Sequence, residues 1–136
     1  MHKAIFFIII ASAALMLGPA KAASIYDGEW VGEVNLESGG PHCYKKIKLS
    51  GIIEEGELEL SGTVSGSPIV FKGLIDSDGK VEGKVVLRSI VRRAVALGQF
   101  VEDEIIGTWT AKDQCLWNFV LARPEDWAKK QEANEA

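Results

Sequence analysis

Few residues in this chain could do covalent or metal chemistry. Cysteine occurs at Cys43 and Cys115, and histidine at His2 and His42. A Ser–His–Asp arrangement would have to recruit His42, which adjoins Cys43 near Gly40-Pro41 and reads as an exposed turn residue. There is no G-x-S-x-G elbow and no H-E-x-x-H pair. A zinc reading fails on ligand count, because two cysteines far apart and one histidine fall short of a four-ligand structural site. An even cysteine pair in an exported chain instead reads as a disulfide, and that removes the thiolate needed for cysteine catalysis. The expectation is no catalytic residue, no metal and no cofactor.

Carboxylates fall in three groups: Glu54, Glu55, Glu57 and Glu59; Asp76 and Asp78; and Glu102, Asp103 and Glu104. Two carboxylates facing across a cleft could hydrolyse a glycoside. Asp76-x-Asp78-Gly79 has the start of a calcium loop but lacks the later ligands. All three groups read as solvated turns and outward strand faces. Lys45, Lys46 and Lys48 form one basic group, and Arg88, Arg92 and Arg93 another. Either could meet an anionic lipid or polysaccharide. A net charge of -4 and a pI near 5.2 instead read as dispersed charge, and they exclude a nucleic-acid binder. Lys45 is in phase with the inward face, which places it at an open rim with its stem over apolar surface. Trp30, Trp109, Trp117 and Trp127 could line a groove for sugars or apolar ligands. Their strand positions make Trp30, Trp109 and Trp117 core residues first. Trp109, Trp117 and Lys45 are the candidates for a ligand or rim site.

Positioning these residues falls to one domain. The chain has 136 residues, 47% hydrophobic and 25% charged, an ordinary globular composition. Residues 1–22 read as a signal peptide. Lys3 is basic, Ile5 to Leu17 is apolar but too short to span a bilayer, and Ala20-Lys21-Ala22 resembles a cleavage site. Cleavage is expected after Ala22, with Ala23 as second choice, placing the protein in the periplasm or the medium. No later segment could cross a membrane as a helix.

Residues 23–123 alternate apolar and polar almost throughout, with turn signals about every ten residues, as all-β chains do. Eight strands are expected: Ile25–Leu36, His42–Ile53, Glu57–Ser65, Pro68–Ile75, Lys80–Arg88, Arg92–Val101, Glu104–Ala111 and Gln114–Ala122. Asp76-Ser77-Asp78-Gly79 is the clearest hairpin signal. Leu87, Ile90, Val91, Ala94 and Val95 have helical spacing, yet the Val- and Ile-rich surroundings favour strand. Residues 124–136 read as a charged helix or tail, docked through Trp127. Short connections imply an antiparallel up-and-down meander, and eight strands close into a small barrel. Parity puts Cys43 and Cys115 at one rim, and Trp30 and Arg123 at the other. Gly51, Gly62, Gly73 and Gly83 recur at spacings of 11, 11 and 10, which reads as curvature.

Gly28-Glu29-Trp30 at the start of the first strand, with Arg123 after the last, resembles the calycin arrangement of lipocalins and avidins. There a G-x-W tryptophan packs under a basic residue, a cation–π contact. The biotin-contacting pattern of avidins is not present. The whole chain from Tyr26 also looks like a group of small exported bacterial proteins of unknown function. The shared pattern is Tyr26-Asp27-Gly28-Glu29-Trp30, Cys43, Asp78-Gly79, Gly107-Thr108-Trp109, Cys115 and Arg123. This resemblance implies export, one disulfide and an all-β fold, and no activity. The function expected is a non-enzymatic, calycin-like binding module for a small apolar or amphipathic ligand. The alternative is an envelope protein-interaction or inhibitor module acting through rim loops or the C-terminal tail.

Overall fold

The computed structural model describes residues 25–87, 90–111 and 114–135; side chains of 86, 87 and 90–94 are outside the description, as are the leader read at residues 1–22, Arg88 and the turn at residues 112–113. Eight strands follow one another: β1 (Gly28–Ser38), β2 (Lys46–Glu54), β3 (Glu57–Val64), β4 (Ser67–Ile75), β5 (Lys80–Leu87), β6 (Ile90–Val101), β7 (Glu104–Ala111) and β8 (Leu116–Ala122). Each pairs antiparallel with the next, and β1 pairs with β8 to close the barrel. A helix, α1 (Pro124–Glu135), ends the described chain. No helix among the described residues is long and apolar enough to cross a membrane.

The alternation in the sequence decides which way each side chain points. In β3, Leu58, Leu60 and Val64 are buried while Glu57, Glu59, Ser61 and Thr63 face out. The inward residues of all eight strands meet in one core. Trp30 and Val34 come from β1, Ile47 and Leu49 from β2, Phe71 from β4, and Phe119 and Leu121 from β8. Aromatic rings fill the middle: Phe71 meets Trp109 at 6.2 Å edge-on and Phe119 at 6.2 Å, and Trp109 meets Trp117 at 5.5 Å. Such pairs contribute about 0.5–1.5 kcal/mol each beyond their buried area.

The recurrent glycines sit on the inward face and allow both close strand approach and ring packing. Gly98 and Gly107 pair directly across β6 and β7, as Gly73 and Gly83 do across β4 and β5. A Cβ on Gly107 would collide with the Leu97 carbonyl oxygen, and one on Gly83 would enter the ring of Phe71. The sheet therefore bends where side chains are missing, and the vacated volume is taken by rings from neighbouring strands.

Several strand boundaries differ from the sequence expectation, most by one or two residues, and three have a clear local cause or consequence. β2 begins at Lys46 and not at His42, because Gly40–Cys43 closes a turn through a Cys43 N–H to Gly40 carbonyl bond of 3.0 Å. Lys45 is thereby outside the strand and exposed, not inward, and its carbonyl accepts the Leu36 N–H at 2.8 Å. β1 begins at Gly28 rather than Ile25, since Ile25–Asp27 crosses the barrel end. The helically spaced segment is strand from Ile90 onward. Lys84 pairs with Val95 while Val85 pairs with Arg92, so β6 holds two extra residues in a bulge. Two extra residues leave the inward–outward phase unchanged; the helical spacing arises because outward positions such as Val95 and Leu97 are apolar too, which hides the alternation.

Candidate functional site: the two rims of the barrel

The even number of strands gives the barrel two unlike ends. The end where β1 starts and β8 finishes carries the turns β2–β3, β4–β5 and β6–β7. Trp30 is 1% exposed and lies under the Arg123 guanidinium, whose carbon is 4.3 Å from the ring centroid. Arg123 also donates to the carbonyls of Asp27 at 2.9 Å and Ile25 at 2.7 Å. The Trp30 indole N–H donates to the Tyr26 carbonyl at 2.8 Å. Tyr26 itself turns inward, edge-on to Phe100 at 5.1 Å. Residues Ile25–Asp27 are thus strapped over the barrel mouth by one cation and one indole.

Local sequence fixes that cation. Arg123 directly precedes the helix, its carbonyl accepting the Trp127 N–H at 2.8 Å. Pro124 suits the first helical position, and Glu125 and Asp126 in the first turn complement the helix dipole. The helix has no buried residue; Trp127 is half-buried, and α1 lies near β1 and β8. Lys130 pairs with Glu104 at 2.9 Å.

Members of all three acidic groups singled out in the sequence arrive at this same end, while Glu59 lies on the outer wall of β3 and pairs with Lys72 at 3.5 Å. Glu54 ends β2 and Glu55 lies in the β2–β3 turn, Asp76 and Asp78 lie in the β4–β5 turn, and Glu102 and Asp103 in the β6–β7 turn. Part of this acidity is structural. Asp76 Oδ1 accepts the N–H groups of Asp78 at 2.8 Å and Lys80 at 3.0 Å, which makes it a turn former rather than the start of a calcium loop. Asp27 Oδ1 accepts the Glu55 N–H at 3.0 Å. Glu102 and Asp103 fill both positions of a two-residue turn. Both occupy the left-handed region, at φ 48° and 70°, where glycine or asparagine would be at ease. Aspartate tolerates this region, but Glu102, like Glu55 at φ 51°, is held there against local preference.

The opposite end is closed covalently. Cys43, just before β2, and Cys115, just before β8, form a disulfide with Cα atoms 5.8 Å apart, across 72 residues of chain. A loop of that length stabilises by about 4 kcal/mol in the chain-entropy account. The Trp117 indole N–H donates to the Tyr44 carbonyl at 2.7 Å and holds the same loop down. The fold also brings in a residue that sequence reasoning set aside. His42 Nε2 lies 3.7 Å from Sγ of both cysteines. Its adjacency to Cys43 was the available signal; Cys115 is 73 residues away, beyond any spacing rule.

Of the ligand candidates, Trp109 and Trp117 are in the core and Lys45 is on the cystine rim, so the three do not converge on one surface. Trp109 is 3% exposed, and its indole nitrogen is buried without a hydrogen-bond partner among the described residues. On the outer wall, Leu97 and Ile106 flank an open groove of about 650 Å³ over the Gly98–Gly107 pair. Comparison of the chain with protein-family models, with curated proteins and with solved structures returns no match.

Proposed function

We propose that this chain is an exported, non-enzymatic binding module whose acidic rim docks on a basic patch of a partner protein in the cell envelope. The carrying observation is the collection of Glu54, Glu55, Asp76, Asp78, Glu102 and Asp103 on one end, beside the acidic first turn of α1. Oppositely charged rims steer encounter and fix orientation. The strained Glu102-Asp103 turn supports the reading, because carboxylates there cost stability that Asn-Gly would recover. The disulfide fits an oxidising compartment. The test is cross-linking of the exported protein in its own cells. The native protein should capture a partner in a salt-sensitive manner. Replacing Glu54, Glu55, Glu102 and Asp103 by their amides should reduce capture at least tenfold, whereas Lys45→Glu at the other rim should not. Equal capture by the amide variant sinks the acidic-rim reading.

One observation favours a second reading, a small ligand or water held inside. The unpartnered Trp109 indole N–H sits among apolar rings, and a buried donor left alone costs about 1–3 kcal/mol. A native mass spectrum with a bound small molecule, lost in Trp109→Phe, would support it. A bare native mass with Trp109→Phe as stable as the parent would leave the acidic rim as the reading to pursue.

A further inference from the structure

We propose that His42, Cys43 and Cys115 form a reduction-gated site for a thiophilic divalent cation of the zinc type. The three donor atoms lie within 4.8 Å of one another, on two loops that the barrel holds together. The imidazole Nε2 is 3.7 Å from each sulfur. A tetrahedral ion with sulfur at about 2.3 Å and nitrogen at about 2.0 Å sets those atoms roughly 3.5 Å apart. Two edges of the coordination triangle therefore already have nearly the right length. The third edge, sulfur to sulfur, must open from a covalent bond to roughly 3.8 Å. The loop closes tightly on these donors because two glycines flank them: a Cβ on Gly39 would collide with Cys43 Sγ, and one on Gly40 would press on the imidazole.

The chemistry balances with one named co-reactant. A dithiol reductant transfers two electrons and two protons to the cystine; its own sulfurs become a disulfide, and Cys43 and Cys115 become thiols. The cation then displaces both thiol protons, and neutral His42 supplies the third ligand. Two thiolates and a divalent ion cancel in charge, which suits sulfurs that are 5% and 2% exposed. His42 is exposed, so the ion enters from solvent, and a fourth position is left for water or a partner's side chain. The pieces of the site stay together after reduction, because the Trp117–Tyr44 bond and the β1–β8 pairing do not depend on the disulfide.

The experiment uses the full exported chain, reduced by a phosphine, desalted without oxygen and titrated with Co²⁺. One equivalent should bind with thiolate-to-metal charge-transfer absorption and tetrahedral visible bands, and Zn²⁺ should displace it. The oxidised protein should show neither signal. His42→Ala should weaken binding at least tenfold, and His42→Cys should restore it with a spectrum shifted toward three sulfurs. Circular dichroism on the same samples covers loss of fold: a reduced chain that unfolds must refold with one equivalent of Zn²⁺. The proposal is overturned if the folded reduced chain lacks the charge-transfer band, if His42→Ala binds as the parent does, or if an unfolded reduced chain stays unfolded with metal.

Discussion

The two ends of the barrel solve one problem with different chemistry. Each must tie β1 to β8, the strand pair farthest apart in the chain, and each must cover the end of an apolar core. At one end a guanidinium lies on Trp30 and reaches two carbonyls, and every bond is reversible. At the other a cystine joins the β1–β2 loop to the β7–β8 loop, with one indole hydrogen bond beside it. The reversible end buries a large side chain in the core. The covalent end acts chiefly on the unfolded chain, by shortening the loop it must close. The difference teaches that a closed barrel needs its seam secured at both rims, while the means can be packing or covalency.

That comparison can be broken by substitution. Trp30→Ala should cost the most, about 3–5 kcal/mol, since it empties a fully buried indole site and removes the platform under Arg123. Denaturant unfolding of the oxidised protein measures it. If Trp30→Ala costs less than 1 kcal/mol, the arginine end is a cover and not a clasp. Converting Cys43 and Cys115 together to serine should cost about 2–4 kcal/mol, read from the same transition. A loss larger than that of Trp30→Ala would reverse the order of the two ends. Arg123→Lys keeps the charge but gives up the planar stack and one carbonyl bond, so about 1–2 kcal/mol should go. Hydrogen exchange should then rise at the first residues of β1 and not near Cys43. The smallest effect should carry the opposite sign. Asn at 102 with Gly at 103 should stabilise by about 1 kcal/mol, because both positions have φ above zero. Thermal unfolding checks the gain, and partner capture should fall with it if the acidic rim is the binding face.

Much of this architecture was legible in the residues. Leu58, Leu60 and Val64 against Glu57, Glu59 and Ser61 fix a strand and its faces, because burial on one side leaves only one register. Asp78-Gly79 fixes a hairpin through local hydrogen bonds alone. Counting strands by parity was enough to send the cysteines to one rim and Trp30 with Arg123 to the other. What was not legible depended on contacts distant in sequence or on broken periodicity. Apolar residues on the outward face of β6, Val95 and Leu97, hid its alternation, and the two-residue bulge opposite Lys84 and Val85 depends on pairing with another strand. Lys45 kept the inward phase on paper, yet the turn Gly40–Cys43 delays the strand to Lys46. His42 reads as a turn residue until the barrel closes and lays it against a sulfur 73 positions away. The gathering of three acidic turns at one rim follows from the strand count, but no one of those turns announces it.

The seam between β1 and β8 also has a mechanical consequence. Handles at Ile25 and Arg123 would pull on the same rim, at the open mouth of the seam. Force applied there peels hydrogen bonds one after another instead of shearing them together, so the first rupture should occur at low load once the Arg123 clasp releases. The peel runs toward the far rim and meets Cys43–Cys115, which no extension can pass. Only the residues outside that covalent loop, essentially β1 and β8, can be drawn out. The length released is then set by where the cysteines stand in the chain, and reduction converts a short, bounded extension into unravelling of the whole barrel.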